Sequence, residues 1–548
     1  MMTRAAVRNG LYILAAWLTA LLTIISGQFA DADLWGRLSI GALFFRTGRF
    51  PYHDVFSYTA PNARWIDHEW LTGMVFYQLF AQFGEAGFMV FKYGIILALF
   101  YVLFRLHRKA YASSPLFAFY GLLGLLPIYS LGLLATTRSH IFTFFLFVLF
   151  LYVLERVRLR QRSPRLLWWL LPLGVLWGNL HGGFIVGIIL VALYGMDEVL
   201  DTRSLKAGGF HFMLAAGIFL LTGLLNPYGP DYLAFLIHAW TLNREHIAEW
   251  NPIELGSWQF WPTQLLVAAT LVVVLLRWFW ADRSNPQVRR DLLTPSLVLL
   301  FTTAMTLKGF RFQPFLAWTL IAFAPVLFTP GFIRRCLPQP VIAFATAQAS
   351  AFRNTLPVLL LVGALGGLIY MGKTSDLLHV RLDDEMSQGQ QPSIRYPLGA
   401  IHFLRQSPYQ GNLSVRFGLG EFAYWTLYPR FKISMDGRYE EVYSQDEFMH
   451  NYRFYSDKNP FHAAKAVEYI NGSKADFILT EPNLTHIGVL MHDPAWKMIY
   501  GDDYYLLFGR VVTLKKFPEY QPKGFLLTTQ VLTMEDFVTP QDTRRFRW

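Results

Sequence analysis

Apolar stretches long enough to cross a bilayer constrain this chain more than any other feature. A hydrocarbon core takes about 20 apolar residues in helix. Eleven runs of roughly that kind occur, near residues 11 to 29, 86 to 104, 115 to 133, 140 to 155, 166 to 180, 183 to 197, 211 to 225, 262 to 280, 292 to 307, 314 to 329 and 356 to 371. Ordinary soluble domains carry about 25% charged residues, whereas this chain carries 16% and is 54% hydrophobic. A soluble globular chain is excluded, and the fold class expected is a polytopic α-helical membrane protein with about 11 transmembrane helices. The runs at 166 to 180 and 183 to 197 are parted only by His181 and Gly182, which predicts a tight helical hairpin or a broken helix at the membrane face.

The net charge of +11 could suggest a nucleic-acid partner, but its distribution argues otherwise. Alternate loops differ in basic residues. One side holds 19, from Arg4 and Arg8 through the Arg156 to Arg165 group to Arg334, Arg335 and Arg353, and the other holds 8 over longer loops. The positive-inside rule puts the N-terminus in the cytoplasm, and an odd span count puts the C-terminal region outside. The charge is topological, with no nucleic-acid partner. The first run is longer than a usual signal-peptide core, and Ala30-Asp31-Ala32 makes a poor cleavage site, so it reads as a permanent anchor. The single cysteine, Cys336, excludes an intrachain disulfide, and no Cys/His cluster has structural-zinc spacing.

The chain divides into a transmembrane region, 1–373, with a first outward loop at 30–85, and an extracytoplasmic α/β domain with its tail at 374–548. The loop opens with Asp31-Ala32-Asp33-Leu34-Trp35 and continues with Leu34, Leu38, Ala42 and Phe45 at the spacing of an interfacial helix. After residue 374 charged residues return and apolar runs shorten. Strands are expected near 412–416, 431–435, 475–480, 496–500 and 504–509, with helices near 395–406, 420–427, 461–471 and 484–491, and 382–393 as a linker.

Asp31 and Asp33 follow the first run directly, where an acid beside hydrocarbon needs a reason. On an extended chain they would point the same way and could share a cation or meet a substrate; otherwise Asp33 caps the interfacial helix and Asp31 is loop. Asp54, His68 and Glu69 lie in the same loop among aromatics. A desolvated carboxylate there suits general-base work, although Asp67 as a helix cap and Trp65 and Trp70 as interface anchors explain part of the pattern. Arg138, His181, Lys308 and Arg311 stand at the outward ends of spans, where cations can pair with a lipid phosphate or snorkel to headgroups. His181 can also cap its hairpin. The Asp436-Gly437 step after a strand reads first as a turn.

An Asp-x-Asp after the first span, an outward loop with an interfacial helix, about eleven spans and a C-terminal extracytoplasmic domain resemble a GT-C glycosyltransferase. The segments DADLWGRL, FPYHDVFSYT, WIDHEWL, WGNLHGGF, LNPYG and MDGRYE look like those of bacterial membrane proteins described as mannosyltransferase-like. The resemblance implies an inverting transfer, on the outer face of the bacterial cytoplasmic membrane, from a polyprenyl-phosphate sugar to a glycan, lipid or protein acceptor. Asp31 or Asp33 would be the general base or acceptor-orienting group. Asp54, His68, Glu69 and His181 would bind substrate, and Arg138, Lys308 and Arg311 the lipid phosphate. Members with a monophosphate donor resemble metal-independent enzymes, and those with a diphosphate donor use a divalent metal such as Mg or Mn, so Asp31 and Asp33 leave a metal open. A non-catalytic scaffold of a polysaccharide assembly machine and a transporter are the competing classes. Transport fits poorly, because acids inside the spans are nearly absent.

Overall fold

The computed structural model describes residues 10–12, 14–15, 18–19, 30–60, 63–111, 137–239, 241, 244, 246–281, 286–343, 355–374, 377–380, 382, 396–456 and 459–520. Two compact units are present, one of Met1–Gln28, Val90–Pro230 and Thr241–Leu377, the other of Phe29–Met89, Asp231–Trp240 and Leu378–Trp548.

Among the described residues, six helices are long and apolar enough to cross a membrane: Trp70–Ala110, His140–Arg158, Leu205–Leu224, Trp258–Phe279, Phe310–Leu327 and Leu356–Lys373. The first is broken at Gly84, where φ is 63°. Leu359, Val362, Ile369 and Tyr370 are each about 60% exposed or more, a surface that hydrocarbon rather than water would solvate. Helices Phe184–Thr202 and Pro286–Lys308 coincide with two further apolar runs, and the former carries Asp197, Glu198 and Asp201 towards its end. The run at 166 to 180 is split into a 3-10 segment, Pro164–Trp169, and a helix of 11 residues, Leu170–Leu180. At 1.5 Å per residue that helix is about 17 Å long, too short to span alone. The chain then breaks at His181, whose backbone is extended, before Phe184 restarts the helix. The expected span at 115 to 133, most of that at 11 to 29 and nearly all of the 382–393 linker lie outside the described residues.

The second unit is built on a five-stranded mixed sheet in the order β2-β1-β3-β5-β4. The strands are β1 Gly411–Ser414, β2 Phe431–Ile433, β3 Phe477–Thr480, β4 Trp496–Gly501 and β5 Leu506–Arg510. β1 runs parallel to both β2 and β3, and β5 pairs antiparallel with β3 and β4. The β4–β5 hairpin turns at Asp502, whose carboxylate accepts from Tyr504 N and Tyr505 N. β3 is buried along its whole length, as a central strand must be. Its core includes Ile478, Phe508, Phe454, Tyr455, Val467, Ile470 and Trp496.

Tyr58, from the first loop, sits in that same core. The loop also extends the sheet: Ile433 N donates to Phe56 O (2.9 Å) and Tyr58 N to Ile433 O (3.0 Å), a parallel bridge on the outer edge of β2. Two segments nearly four hundred residues apart therefore share one sheet. Edge strands otherwise present unpaired amides, and this loop covers part of one.

Candidate active site

The first-loop helix runs Ala32–Thr47, and Asp31 is its N-cap: the carboxylate accepts from Asp33 N (3.1 Å). The cap therefore falls on Asp31, and Asp33 lies in the first turn. The two acids do not share an extended strand, because helix begins between them. Behind Asp33 the helix is buried from Leu34 to Leu43. Trp35 packs edge-on to Tyr396 and Phe422 and donates its indole N–H to the Tyr396 hydroxyl (2.9 Å).

Glu421, from helix Gly420–Leu427, inserts against this helix. Gly36 N donates to its Oε2 (2.8 Å), and a Cβ at Gly36 would lie 2.4 Å from that oxygen, so only glycine admits the carboxyl group. Glu421 is 3% exposed. Burial, with the neighbouring Asp33 and Asp436 carboxylates, pushes its pKa well above the usual carboxylate range, against the opposing pull of Arg37 and the Gly36 N–H.

Arg37 is buried and gathers the WIDHEWL segment. Its Nη1 donates to Asp67 Oδ1 at 2.5 Å, and its Nε lies 3.5 Å from Glu69 Oε2. Asp67 Oδ1 also accepts from Glu69 N (3.0 Å), in the turn that precedes helix Trp70–Arg105. Trp65 Nε1 donates to Glu441 Oε2 (2.8 Å), and the other oxygen of Glu441 bonds His68 Nδ1. Glu69 Oε1 stands 3.6 Å from His68 Nε2. Burial opposes a charge on His68, but the Glu441 and Glu69 carboxylates outweigh it and lift its pKa to about 9. The ring is 27% exposed, so the imidazolium is reachable.

Asp54 is 2% exposed and accepts from Phe56 N, Ser57 N and the Ser57 hydroxyl. Its Oδ1 also receives Arg438 Nη1 (2.6 Å). Arg438 forks onto Asp436 through Nε (2.8 Å) and Nη2 (2.6 Å), Tyr443 donates its hydroxyl to Asp436, and the guanidinium lies over Trp65 at 4.4 Å. This assembly is sealed. It fixes the loop to the turn after β2 rather than offering groups to a ligand.

The first unit holds a separate cluster of cations. Arg138 Nη1 and Arg311 Nη1 both pair with Glu249, at 3.1 and 2.9 Å. Arg311 and Arg244 each stack on Trp250, with guanidinium carbons 4.0 and 4.2 Å from the ring centroid. Burial disfavours the charge on Glu249, but Arg138 and Arg311 hold its pKa down to about 2. Two guanidiniums thus share one carboxylate and a third shares the indole with Arg311, an arrangement suited to an anion. Lys308 closes helix Pro286–Lys308, and Ile253 N donates to Leu307 O (3.3 Å), tying that helix end to the same loop. His181 is part of its hairpin: its Nδ1 bonds the Thr143 hydroxyl (2.9 Å) and accepts from Gly183 N (2.8 Å). Asn226 donates to Asn179 (3.1 Å), joining the LNPYG and WGNLHGGF segments.

The fold thus collects Asp31, Asp33, Asp54, His68 and Glu69 in one unit, and Arg138 and Arg311 in the other. Sequence reasoning missed Arg37, Glu421, Asp436, Arg438, Glu441 and Arg244 as members. The available signal was the charge density of MDGRYEE just after a strand.

As for a metal, Asp31 is committed to its cap, and among the described residues no group of three or more His, Cys, Asp or Glu could hold an ion. The donor set falls short of a usual cation site, and no step below passes through one.

No family model matches the chain, and no curated protein matches it in sequence. Solved structures do match in fold. The oligosaccharyltransferase AglB from Archaeoglobus fulgidus, in complex with an inhibitory peptide and a dolichol-phosphate, superposes with a TM-score of 0.54 at 12% identity, over 86% of this chain and 69% of its own. ArnT from Cupriavidus metallidurans in the apo state gives 0.51 at 13%, over 93% of this chain and 99% of its own. Both belong to the GT-C superfamily of membrane glycosyltransferases. The chain has the GT-C fold. As that fold leads one to expect, the chain is a helical membrane protein. The Asp-x-Asp of its first loop lies at the start of helix Ala32–Thr47.

Proposed function

We propose that this GT-C chain transfers a sugar from a polyprenyl-phosphate-linked donor to an envelope glycan, lipid or protein acceptor at the outer face of the cytoplasmic membrane. The observation that carries the reading is the Arg138–Glu249–Arg311 and Arg244–Trp250 cluster. Three guanidiniums held by a single carboxylate and a ring form a ready seat for a lipid phosphate. The fold neighbour AglB was solved with a dolichol-phosphate, which supports the same ligand class.

Asp33 is the group proposed to orient the acceptor hydroxyl and take its proton. It is half-buried rather than sealed, and unlike Asp31 it is not the helix cap. Attack of the acceptor oxygen on the anomeric carbon breaks its bond to the phosphate oxygen, which leaves as lipid phosphate. His68, held as an imidazolium and partly exposed, is a second contact for an anionic or polyhydroxyl substrate.

The test is release of polyprenyl phosphate from a panel of polyprenyl-phosphate sugars by the purified, lipid-reconstituted protein, with and without chelator. Asp33→Asn should lower turnover by about 100-fold or more, while Asp31→Asn, which trims a cap, should cost less than about tenfold and about 1 kcal/mol of stability. Equal activity of wild type and Asp33→Asn would sink the assignment. Complete loss in chelator would restore a metal and a diphosphate-linked donor.

A further inference from the structure

Glu421 is a buried acid of the second unit that the proposed chemistry leaves without a task, and its surroundings are unusual. One oxygen is pinned by Gly36 N, in the space a side chain would fill. The other converges with Asp33: a Cβ on Gly437 would lie 2.8 Å from Glu421 Oε1 and 3.2 Å from Asp33 Oδ1. Two carboxyl groups thus face one glycine, the inner one enclosed and the outer one reachable. Facing Glu421 are Asp33 and Arg37 from the first-loop helix and Asp436 from the turn after β2, with Tyr396 and Tyr424 also in its field. Arg37 pulls the other way, but its ion pairs are with Asp67 and Glu69. The Tyr424 hydroxyl is buried and has no hydrogen-bond partner among the described residues.

Neighbouring carboxylates in low dielectric cannot both ionise cheaply, and the more desolvated one keeps the proton. We propose that Glu421 is a positioning residue for Asp33, a buried carboxylic acid that holds its proton beside the Asp33 carboxylate so that the pair works with one proton between them. This rests on the reading of Asp33 given above. Burial and the two flanking acids, which raise the Glu421 pKa, agree with the geometry. The working form is then bounded on the alkaline side, where loss of the Glu421 proton sets a second charge against Asp33.

Two readouts test this on the full-length reconstituted protein. In infrared difference spectra, a protonated-carboxyl C=O band should persist at neutral pH in wild type and be absent from Glu421→Gln; a wild type without that band overturns the proposal. In the pH profile of donor turnover, wild type should fall on the alkaline side, and Glu421→Gln should lose about threefold at neutral pH and lack that fall. A profile of unchanged shape, or a loss above about 100-fold at every pH, overturns it. Should Glu421→Gln fail to reach the membrane, Asp33→Asn supplies the complement. Removing the neighbouring charge must move the C=O band's disappearance to lower pH, and an unmoved band overturns the proposal. If wild type turns over no donor, that failure belongs to the function proposed above, and the infrared band decides the role of Glu421 alone.

Discussion

At the scale of single residues, the first loop holds its charges in place through partners that set their protonation. His68 is the clearest case. Its folded pKa of about 9 stands above the ordinary value of 6.5, because Glu441 and Glu69 outweigh the cost of burial. A group whose pKa rises on folding stabilises the fold while protonated. Its contribution is complete below about pH 6.5 and is lost as pH climbs through about 9. The thermal midpoint of the purified protein should therefore fall between neutral and strongly alkaline pH, and His68→Gln should be lower at neutral pH but fall less steeply. Parallel curves for the two proteins would show that the His68–Glu441 pair does not carry the proton. The acids of the loop were legible in the sequence as a cluster, but their division of labour was not. Asp31 and Asp33 differ only in which side of the helix start they occupy, a boundary that propensity places to within a residue or two at best.

At the scale of elements, one buried arginine clamps the first loop to the turn after β2, beside the backbone bridge that already pairs them. Arg438 reaches across 384 positions to Asp54 while forking onto Asp436, and all three side chains are buried. Replacing it with Met fills much of the volume but leaves two carboxylates enclosed without a cation, a loss of about 3–5 kcal/mol. Arg438→Met should unfold at a markedly lower temperature or fail to accumulate in membranes, and Arg438→Lys should recover only part of the loss, since an ammonium cannot reproduce the fork. A stability within about 1 kcal/mol of wild type would mean the clamp is incidental. The strands themselves were readable: all five expected stretches fall on β1 to β5, because alternation and turn residues are local signals. The clamp was not. Asp436-Gly437 looked like a turn because it is one; that the same turn faces Asp54 depends on a pairing between β2 and Phe56 to Tyr58 that no local pattern encodes. The same holds for Arg244, whose task depends on Trp250 being shared with Arg311.

At the scale of the whole molecule, the distribution of basic residues predicts an orientation in the membrane. Basic residues crowd alternate segments between the apolar runs, and Cys336 sits directly after Arg334 and Arg335, at the end of the short helix Pro330–Cys336 in one of them. Positively charged loops are retained in the cytoplasm, so the expected outcome is Cys336 on that side and the sheet of the second unit accessible from outside. Cys336 is the chain's single cysteine and is exposed, which makes it a native topological probe. A membrane-impermeant maleimide should leave it unlabelled in intact spheroplasts and label it in inverted vesicles. In a Cys336→Ser background, Phe461→Cys, at a position 87% exposed beside the sheet, should show the opposite pattern. The outcome bears directly on chemistry. A lipid-phosphate donor that enters sideways from the bilayer presents its phosphate to one face only, and an acceptor from the envelope arrives on that face. Labelling of Cys336 from outside would invert the orientation, place Asp33 and its partners in the cytoplasm, and replace envelope acceptors with cytoplasmic ones while leaving the residue assignments untouched.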